Sequence, residues 1–282
     1  MKLSIVIVNW NTREHLIACL ESIRLHPPCG EYEMIVVDNA STDGSTEAVW
    51  ESFPDVRLIM NEQNLGYAKA NNQAIAASDG EYILLLNPDV RVKAGAVDAL
   101  MRFAETHSNV AAVGCRLVGS DGRVQRSCRS FPEPLGVFLE YVGLPRLIPR
   151  SKRIGSYRMT YFDYSTDAEV DQPMASCLLI PRKAWEDVGP FDEGFPIFFN
   201  DVDWCYRAKE KGWRNYFTAS AEVIHDGGAS TRQARRAMIR ESHRALCRFY
   251  AKHYRKKLWG PVYWFIVGAI ELNSFIKTRL RF

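Results

Sequence analysis

Residues 195–204 read FPIFFNDVDW, an apolar run that ends in two carboxylates, Asp201 and Asp203. Ionised groups at the end of such a run cost free energy unless a partner, a metal or a substrate compensates them. The segment therefore indicates a functional site. An alternative stays open: Asn200 caps a helix that begins DVDWCYR, and the acids only favour its positive N-terminus.

A second group of polar residues follows the predicted strands of the first half of the chain. The strands are LSIVIV (3–8), EMIVVD (33–38), VRLIM (56–60) and YILLLN (82–87), and the polar residues at their ends are Asn9, Asp38, Asn61, Asn64, Asn87 and Asp89. Ligands of open α/β sheets bind beyond the carboxyl ends of the strands. Asp38 is suited to bind a ribose hydroxyl or a base N–H, although an Asp that caps the following turn is as common.

The sequence lacks the two usual phosphate-binding loops. No GxGxxG follows the first strand, and GxxxxGK[ST] does not occur. A divalent cation, Mg²⁺ or Mn²⁺, could neutralise a diphosphate instead, and Asp89 offers it an oxygen ligand. His225, in VIHDGG, could add an imidazole nitrogen, although a lone His is more often structural.

Continuous apolar strands that alternate with helical patterns position these residues. Apolar residues at 16, 19, 20 and 23 predict a first helix with an Asn11/Glu14 capping box, and a later helix is predicted near 95–107. The alternation predicts an α/β fold with a mostly parallel, Rossmann-like central sheet that helices cover on both faces. Residues 119–172 predict a loop-rich insertion. A strand at 174–181, helices from 183 and 201, and strands near 213–224 complete the prediction.

Composition and charge limit the class of protein. The 282 residues suffice for one domain with appendages, and the seven scattered cysteines contain no CxxC pair, so we expect a reducing compartment and no structural metal site. The apolar run at the N-terminus is too short for a secretory signal. Residues 232–282 contain 13 Lys and Arg against two acids, whereas residues 1–231 are net acidic.

The basic tail contains two helical patterns. Basic residues recur every fourth position from Arg232 to Lys252, which by itself is typical of a solvated helix face. LWGPVYWFIVGAIELNSFI (258–276) is apolar and aromatic between cations, and it is marginal for spanning a bilayer. We expect it to lie on the anionic inner face of a membrane. No nucleic-acid-binding motif accompanies the charge, so no nucleic-acid partner is expected.

Several ordered motifs carry a family resemblance over residues 3–230: IVIVNWN, IVVDNASTDGS, NLGYAKANN, LLLNPDV, VGPFDEGFPIFFNDVDWCYR and VIHDGGAS. The chain resembles the family 2 glycosyltransferases of the GT-A fold, in particular a bacterial branch whose members often transfer rhamnose. The resemblance implies nucleotide-sugar binding by Asn9, Asp38, Asn64, Gly66, Asn87 and Asp89. It implies a divalent cation on Asp89 and His225, with NPDV standing for the DxD motif, and Asp201 as catalytic base.

Two neighbours of Asp201 are candidates for binding the acceptor. Asp203 could orient it, although the spacing favours an ion pair with Arg207 one turn later. Trp204 could stack on a sugar ring or pack in the core.

We therefore expect an inverting, metal-dependent glycosyltransferase at the inner face of a bacterial cell membrane. It would move L-rhamnose from dTDP-rhamnose, or a hexose from a UDP-sugar, onto a lipid-linked glycan. The expected units are a glycosyltransferase domain (1–231, with nucleotide-binding half 1–116 and acceptor-binding half 117–231) and a membrane-associating tail (232–282). Two alternatives stay open. A sugar-phosphate nucleotidyltransferase would want a Gly-rich, basic loop that NWNTREHL does not supply, and a catalytically silent nucleotide-sugar-binding scaffold would fit Asn87 and Asn200.

Overall fold

A computed structural model describes residues 1–141, 143–148, 150–227 and 235–279. In chain order its elements are β1 (Leu3–Asn9), α1 (Arg13–Leu25), β2 (Tyr32–Asp38), α2 (Ser45–Ser52), β3 (Val56–Met60), α3 (Tyr67–Ala76), β4 (Tyr82–Leu86), β5 (Val90–Val92), α4 (Ala96–Thr106), β6 (Val110–Val118), β7 (Cys128–Arg129), α5 (Pro134–Tyr141), α6 (Leu144–Leu147), β8 (Ala168–Glu169), β9 (Gln172–Pro173), β10 (Cys177–Pro181), α7 (Arg182–Val188), α8 (Asn200–Glu210), β11 (Arg214–His225), α9 (Arg235–His253) and α10 (Gly260–Arg279).

A mixed central sheet organises the molecule. Its described strands run in the order β3-β2-β1-β4-β10-β6-β11-β5, and β8 pairs with β11. The first four strands are parallel, as the sequence predicts. β10 lies antiparallel between β4 and β6, and β5 pairs antiparallel with the end of β11. The carboxyl ends of β1, β2 and β4 therefore share an edge with the start of β10 and the end of β11.

Helices bury both faces of this sheet, which confirms the predicted arrangement. On one face α1 and α4 pack on Ile5, Leu84 and Val113. On the other face α3, α7 and α8 pack on Val6 and Leu85. Because successive strand residues point to opposite faces, near-continuous apolar strands such as β1 contribute to both cores.

Local predictions near the first helix need correction. α1 has Thr12 at its N-cap position, but the Thr12 side chain does not cap the helix; the Arg13 N–H donates instead to Asp43 Oδ2 at 2.8 Å. The Asn11 side chain instead accepts a hydrogen bond from the backbone N–H of Thr42, so the predicted capping box is wrong. The expected strands at 213–224 form one long strand, β11, and β5 escaped prediction because three residues show no periodicity.

The C-terminal segment is a helical pair, as expected, but it packs on the body of the protein. Ala245 and Phe249 of α9 share an apolar cluster with Phe195. Tyr263 and Val267 of α10 share another with residues of α5 and α9. The boundary that we predicted between 231 and 232 lies outside the described residues, and the predicted division between 116 and 117 falls within β6.

Candidate active site

A buried pair joins the ends of the first two strands. The parallel register places Asn9 beside Asp38, and Asn9 Nδ2 donates a hydrogen bond to Asp38 Oδ1 at 2.8 Å. The Ser41 backbone N–H donates to Asp38 Oδ2 at 2.8 Å, and Thr12 Oγ1 donates to Asn9 Oδ1 at 2.7 Å. Because each oxygen of Asp38 accepts a hydrogen bond, the carboxylate has a fixed orientation at this edge of the sheet. The structure thus brings together two residues that the sequence assigns to nucleotide binding.

Gly66 joins the third strand's loop to the segment that precedes Asp201. Its φ is +82°, and a Cβ at this position would lie 2.8 Å from Pro196 O, which leaves no room for a side chain. The N–H groups of Tyr67 and Ala68 both donate to Pro196 O. Asn64 Oδ1 accepts from the Gly66 N–H at 2.9 Å and lies on the surface. The absence of a side chain at Gly66 therefore lets the start of α3 pack against Pro196. Sugar binding by Asn64 and Gly66 stays a prediction.

Asp89 and His225 meet although 136 positions separate them in the chain. The antiparallel pairing of β11 with β5 puts His225 opposite Val90, and Asp89 Oδ1 then lies 3.4 Å from His225 Nε2. Both side chains are buried. Gln125 clamps the histidine: its Nε2 donates to His225 O and its Oε1 faces Nδ1, each at 2.7 Å. In the neutral ring this arrangement puts the proton on Nδ1 and directs the Nε2 lone pair toward the carboxylate.

This arrangement fits a divalent cation, because a carboxylate oxygen and an imidazole lone pair face each other. The described residues contain no group of three or more His, Cys, Asp or Glu side chains that could hold a metal. A cation bound by Asp89 and His225 would therefore need further oxygen ligands, which a diphosphate could supply. Asn87 lies at the same edge, where its Nδ2 donates to Ser176 Oγ at 3.2 Å.

Asp201 lies in the first turn of α8, two residues after Phe199, whose φ is +69°. Its Oδ2 accepts hydrogen bonds from Gln172 Nε2 at 2.9 Å and from the Ala175 N–H at 3.2 Å. Burial raises the pKa of the Asp201 carboxyl above its ordinary value, and the hydrogen bonds only partly oppose this rise. The site thus holds a half-buried carboxylate that is more basic than an exposed one.

Comparison with known proteins identifies the family. Residues 4–166 match the profile described as Glycosyl transferase family 2. The chain belongs to this family. It is also 30% identical to the N-acetylglucosaminyl-diphospho-decaprenol L-rhamnosyltransferase of Mycobacterium tuberculosis, over 98% of this chain and 93% of that protein. The low-salt glycan biosynthesis hexosyltransferase Agl10 of Haloferax volcanii is 27% identical over 79% of this chain and 67% of its own length.

Solved structures agree on the fold. The mannosyltransferase PcManGT from Pyrobaculum calidifontis, in complex with GDP-Man and Mn²⁺, superposes with a TM-score of 0.62 at 17% identity, over 98% of this chain and 72% of that one. Residues 1–349 of Staphylococcus aureus TarS give 0.56 at 17% identity, over 99% of this chain and 79% of that one. The protein is a rhamnosyltransferase-like family 2 glycosyltransferase with the GT-A fold, which confirms the predicted family, fold and enzyme class.

Asp203 and Trp204 of this glycosyltransferase are buried, and the predicted acceptor-binding roles do not fit their positions. Asp203 has 0% exposed surface, and it contacts Arg207 Nε at 2.9 Å and both Lys252 Nζ and His253 Nε2 at 2.8 Å. Trp204 is equally buried and donates from Nε1 to Gly189 O at 2.9 Å. A fully enclosed side chain cannot touch a sugar, so both residues belong to the interior of the glycosyltransferase.

Two glutamines of the site were not predicted from the sequence. Gln125 orients His225, and Gln172, which is buried, holds Asp201. Both come from the segment 119–172, where the irregular pattern predicts only loops. No local signal marks them, because each acts on a residue that is distant in the chain.

Proposed function

We propose that this glycosyltransferase moves a sugar from a nucleoside diphosphate to a lipid-linked glycan acceptor, with inversion and with a divalent cation. A chain of contacts across the sheet edge carries the proposal. Ala175 donates to Asp201, and the next residue, Ser176, accepts from Asn87 at the end of β4. The candidate base and the candidate cation ligand Asp89 are thereby held on one edge, with the Asn9–Asp38 pair beside them.

Different residues bind the donor and accept the proton in an in-line displacement. Asp38 and Asn9 hold the nucleoside, while Asp201 accepts the proton of the attacking acceptor hydroxyl. The raised pKa of Asp201 suits this task because a more basic carboxylate takes up the proton more readily. A cation bound by Asp89 and His225 would stabilise the charge of the departing diphosphate as a Lewis acid. One displacement from the opposite face inverts the anomeric centre.

The donor and acceptor are proposed from the rhamnosyltransferase relative. It matches nearly the full length of both chains, and its name specifies L-rhamnose and a diphosphate-linked acceptor. We propose dTDP-L-rhamnose as donor, with UDP-hexoses as the alternative. Asn200 gives no support to the scaffold alternative, since its Nδ2 donates to Phe195 O and Ile197 O, which a carboxylate could not do.

The test of this function is release of nucleoside diphosphate from dTDP-, UDP- and GDP-sugars with a lipid-linked acceptor, in Mn²⁺, Mg²⁺ or EDTA. We expect release from one donor, its loss in EDTA, and its recovery when cation is restored.

His225→Gln should raise the cation concentration needed for half-maximal rate, by about tenfold or more. A matched control, His26→Gln, changes a half-buried histidine at the end of α1 and should match the wild type. Full activity in EDTA would contradict the metal dependence.

We propose that the protein is peripheral to the inner face of the cell membrane and binds it through α10. Among the described helices, none combines the length and hydropathy that a membrane span requires. One face of α10 packs inward through Tyr263 and Ile270, whereas Phe265, Leu272 and Phe275 on other faces are exposed. Apolar surface of this kind, next to basic residues at both helix ends, fits an interfacial helix on anionic lipid.

Substitutions on the exposed face of α10 test this proposal without disturbing its packing. Deletion of 258–282 would be a poorer test, because it would expose the apolar cluster beneath α10. Phe265→Glu combined with Leu272→Glu should weaken binding to anionic vesicles by about tenfold or more. Trp50→Glu, which changes an equally exposed aromatic on α2, should bind like the wild type. Sedimentation with vesicles measures the difference. Unchanged binding of the double variant would contradict the proposed membrane contact.

A further inference from the structure

Arg129 stands next to the residues that hold the candidate base, and the proposed mechanism does not use it. It ends β7, which pairs antiparallel with β9 so that Arg129 lies opposite Gln172. Gln172 is the residue that donates to Asp201. Two strands of two residues each therefore place Arg129 directly across from the residue that holds the candidate base.

The Arg129 side chain contacts the Tyr157 side chain. The side chain is half-buried, and its guanidinium carbon lies 6.0 Å from the centre of the Tyr157 ring. Within the described residues Arg129 forms no ion pair with a carboxylate, whereas Arg116, Arg158 and Arg207 each do. The Arg129 charge nevertheless acts on Asp201. Burial raises the pKa of Asp201, and attraction to the Arg129 charge is among the effects that oppose this rise.

We propose that Arg129 binds the diphosphate of the acceptor, the group that joins the acceptor sugar to its lipid. This inference rests on the proposed function, in which the acceptor hydroxyl contacts Asp201. A planar guanidinium matches phosphate oxygens in two parallel hydrogen bonds. In the proposed function the donor diphosphate would bind the cation held by Asp89 and His225, so the two diphosphates of the reaction would bind different positive groups.

A direct binding experiment tests the assignment independently of sugar transfer. Decyl diphosphate and decyl N-acetylglucosaminide, which lacks phosphate, are titrated into the full-length protein by calorimetry. We expect Arg129→Gln to weaken binding of decyl diphosphate by about 10- to 100-fold and to leave the glycoside unaffected. Arg123→Gln is the matched control, because Arg123 lies on the same insertion but is exposed and paired with Asp121. An equal effect of both variants would mean nonspecific charge attraction.

Kinetics separate this role from a structural one. With a diphosphate-linked acceptor, Arg129→Gln should raise the acceptor KM about tenfold or more and leave the donor KM unchanged. With the phosphate-free acceptor, wild type and variant should have equal KM values. Arg129→Lys should recover part of the loss, since it keeps the charge without the planar fork.

Each outcome decides between named alternatives. An equal loss on both acceptors would overturn the proposal and make Arg129 a structural residue. A raised donor KM would assign it to the donor diphosphate instead, and competition by anionic vesicles without diphosphate lipid would assign it to the membrane surface. If neither acceptor supports transfer in the wild type, the proposed function fails, whereas the difference in decyl diphosphate binding still tests Arg129.

Discussion

Replacing Asp201 by Asn is expected to lower kcat by about 10²- to 10⁴-fold, the usual contribution of a positioned general base. Asn has nearly the same shape and can still accept the hydrogen bonds of Gln172 and Ala175 through its Oδ1, but it cannot take up a proton. Donor binding should therefore persist within about twofold of the wild type, because the contact proposed for Asp201 is with the acceptor. Steady-state rates and donor titrations of the same preparation measure both quantities.

The control is Asp121→Asn, an exposed acid of the same insertion, which should keep full activity. The pH dependence adds a second check. Only the ionised Asp201 accepts a proton, and burial raises its pKa, so kcat should fall with decreasing pH at a higher pH than for an exposed aspartate. Retention of turnover in Asp201→Asn would remove Asp201 from the base role.

Replacing Asp203 by Ala is expected to lower the free energy of unfolding by about 3–5 kcal/mol, the range for removing one partner of a buried ionic cluster. The change leaves Lys252 and His253 of α9 without the carboxylate that ties this helix to α8. Chemical denaturation measures the loss. Glu210→Ala, which removes an exposed pair with Lys257, should cost less than about 1 kcal/mol. Equal effects of the two variants would contradict the structural role of Asp203.

The pH dependence of stability should report the same cluster. Burial alone would raise the pKa of Asp203, but hydrogen bonds from His253 and Lys252 outweigh it, and the folded-state pKa is lowered. The cluster therefore contributes its full stability above the pKa of Asp203 in the unfolded chain, and this contribution is lost as pH falls through the folded value. Asp203→Asn should flatten this acid-side decline. A decline equal to that of the wild type would assign it to other carboxylates.

The tail illustrates how packing changes the meaning of a sequence pattern. The spacing of Arg240, Arg244 and Arg248 correctly predicts a basic stripe on a helix. Spacing does not show that Lys252, the next residue of the stripe, reaches a buried carboxylate of α8. The ion pair of Asp203 with Arg207 could be predicted because it lies within one helix, whereas its contacts with α9 could not.

The sequence by itself determined the alternation of strands and helices, the polar residues at the carboxyl ends of β1, β2 and β4, and the family. These features depend on periodicity and on motifs that are local in the chain. The family resemblance implied that Asp89 and His225 share a cation, but only the tertiary structure showed which strand pairing brings them together. It alone decided that Gln172 contacts Asp201, that Arg129 lies opposite Gln172, and that Asp203 and Trp204 lie inside. The reason is physical: antiparallel pairing of β11 with β5 and of β7 with β9 joins segments that are distant in the chain, and no local pattern records which strands will pair.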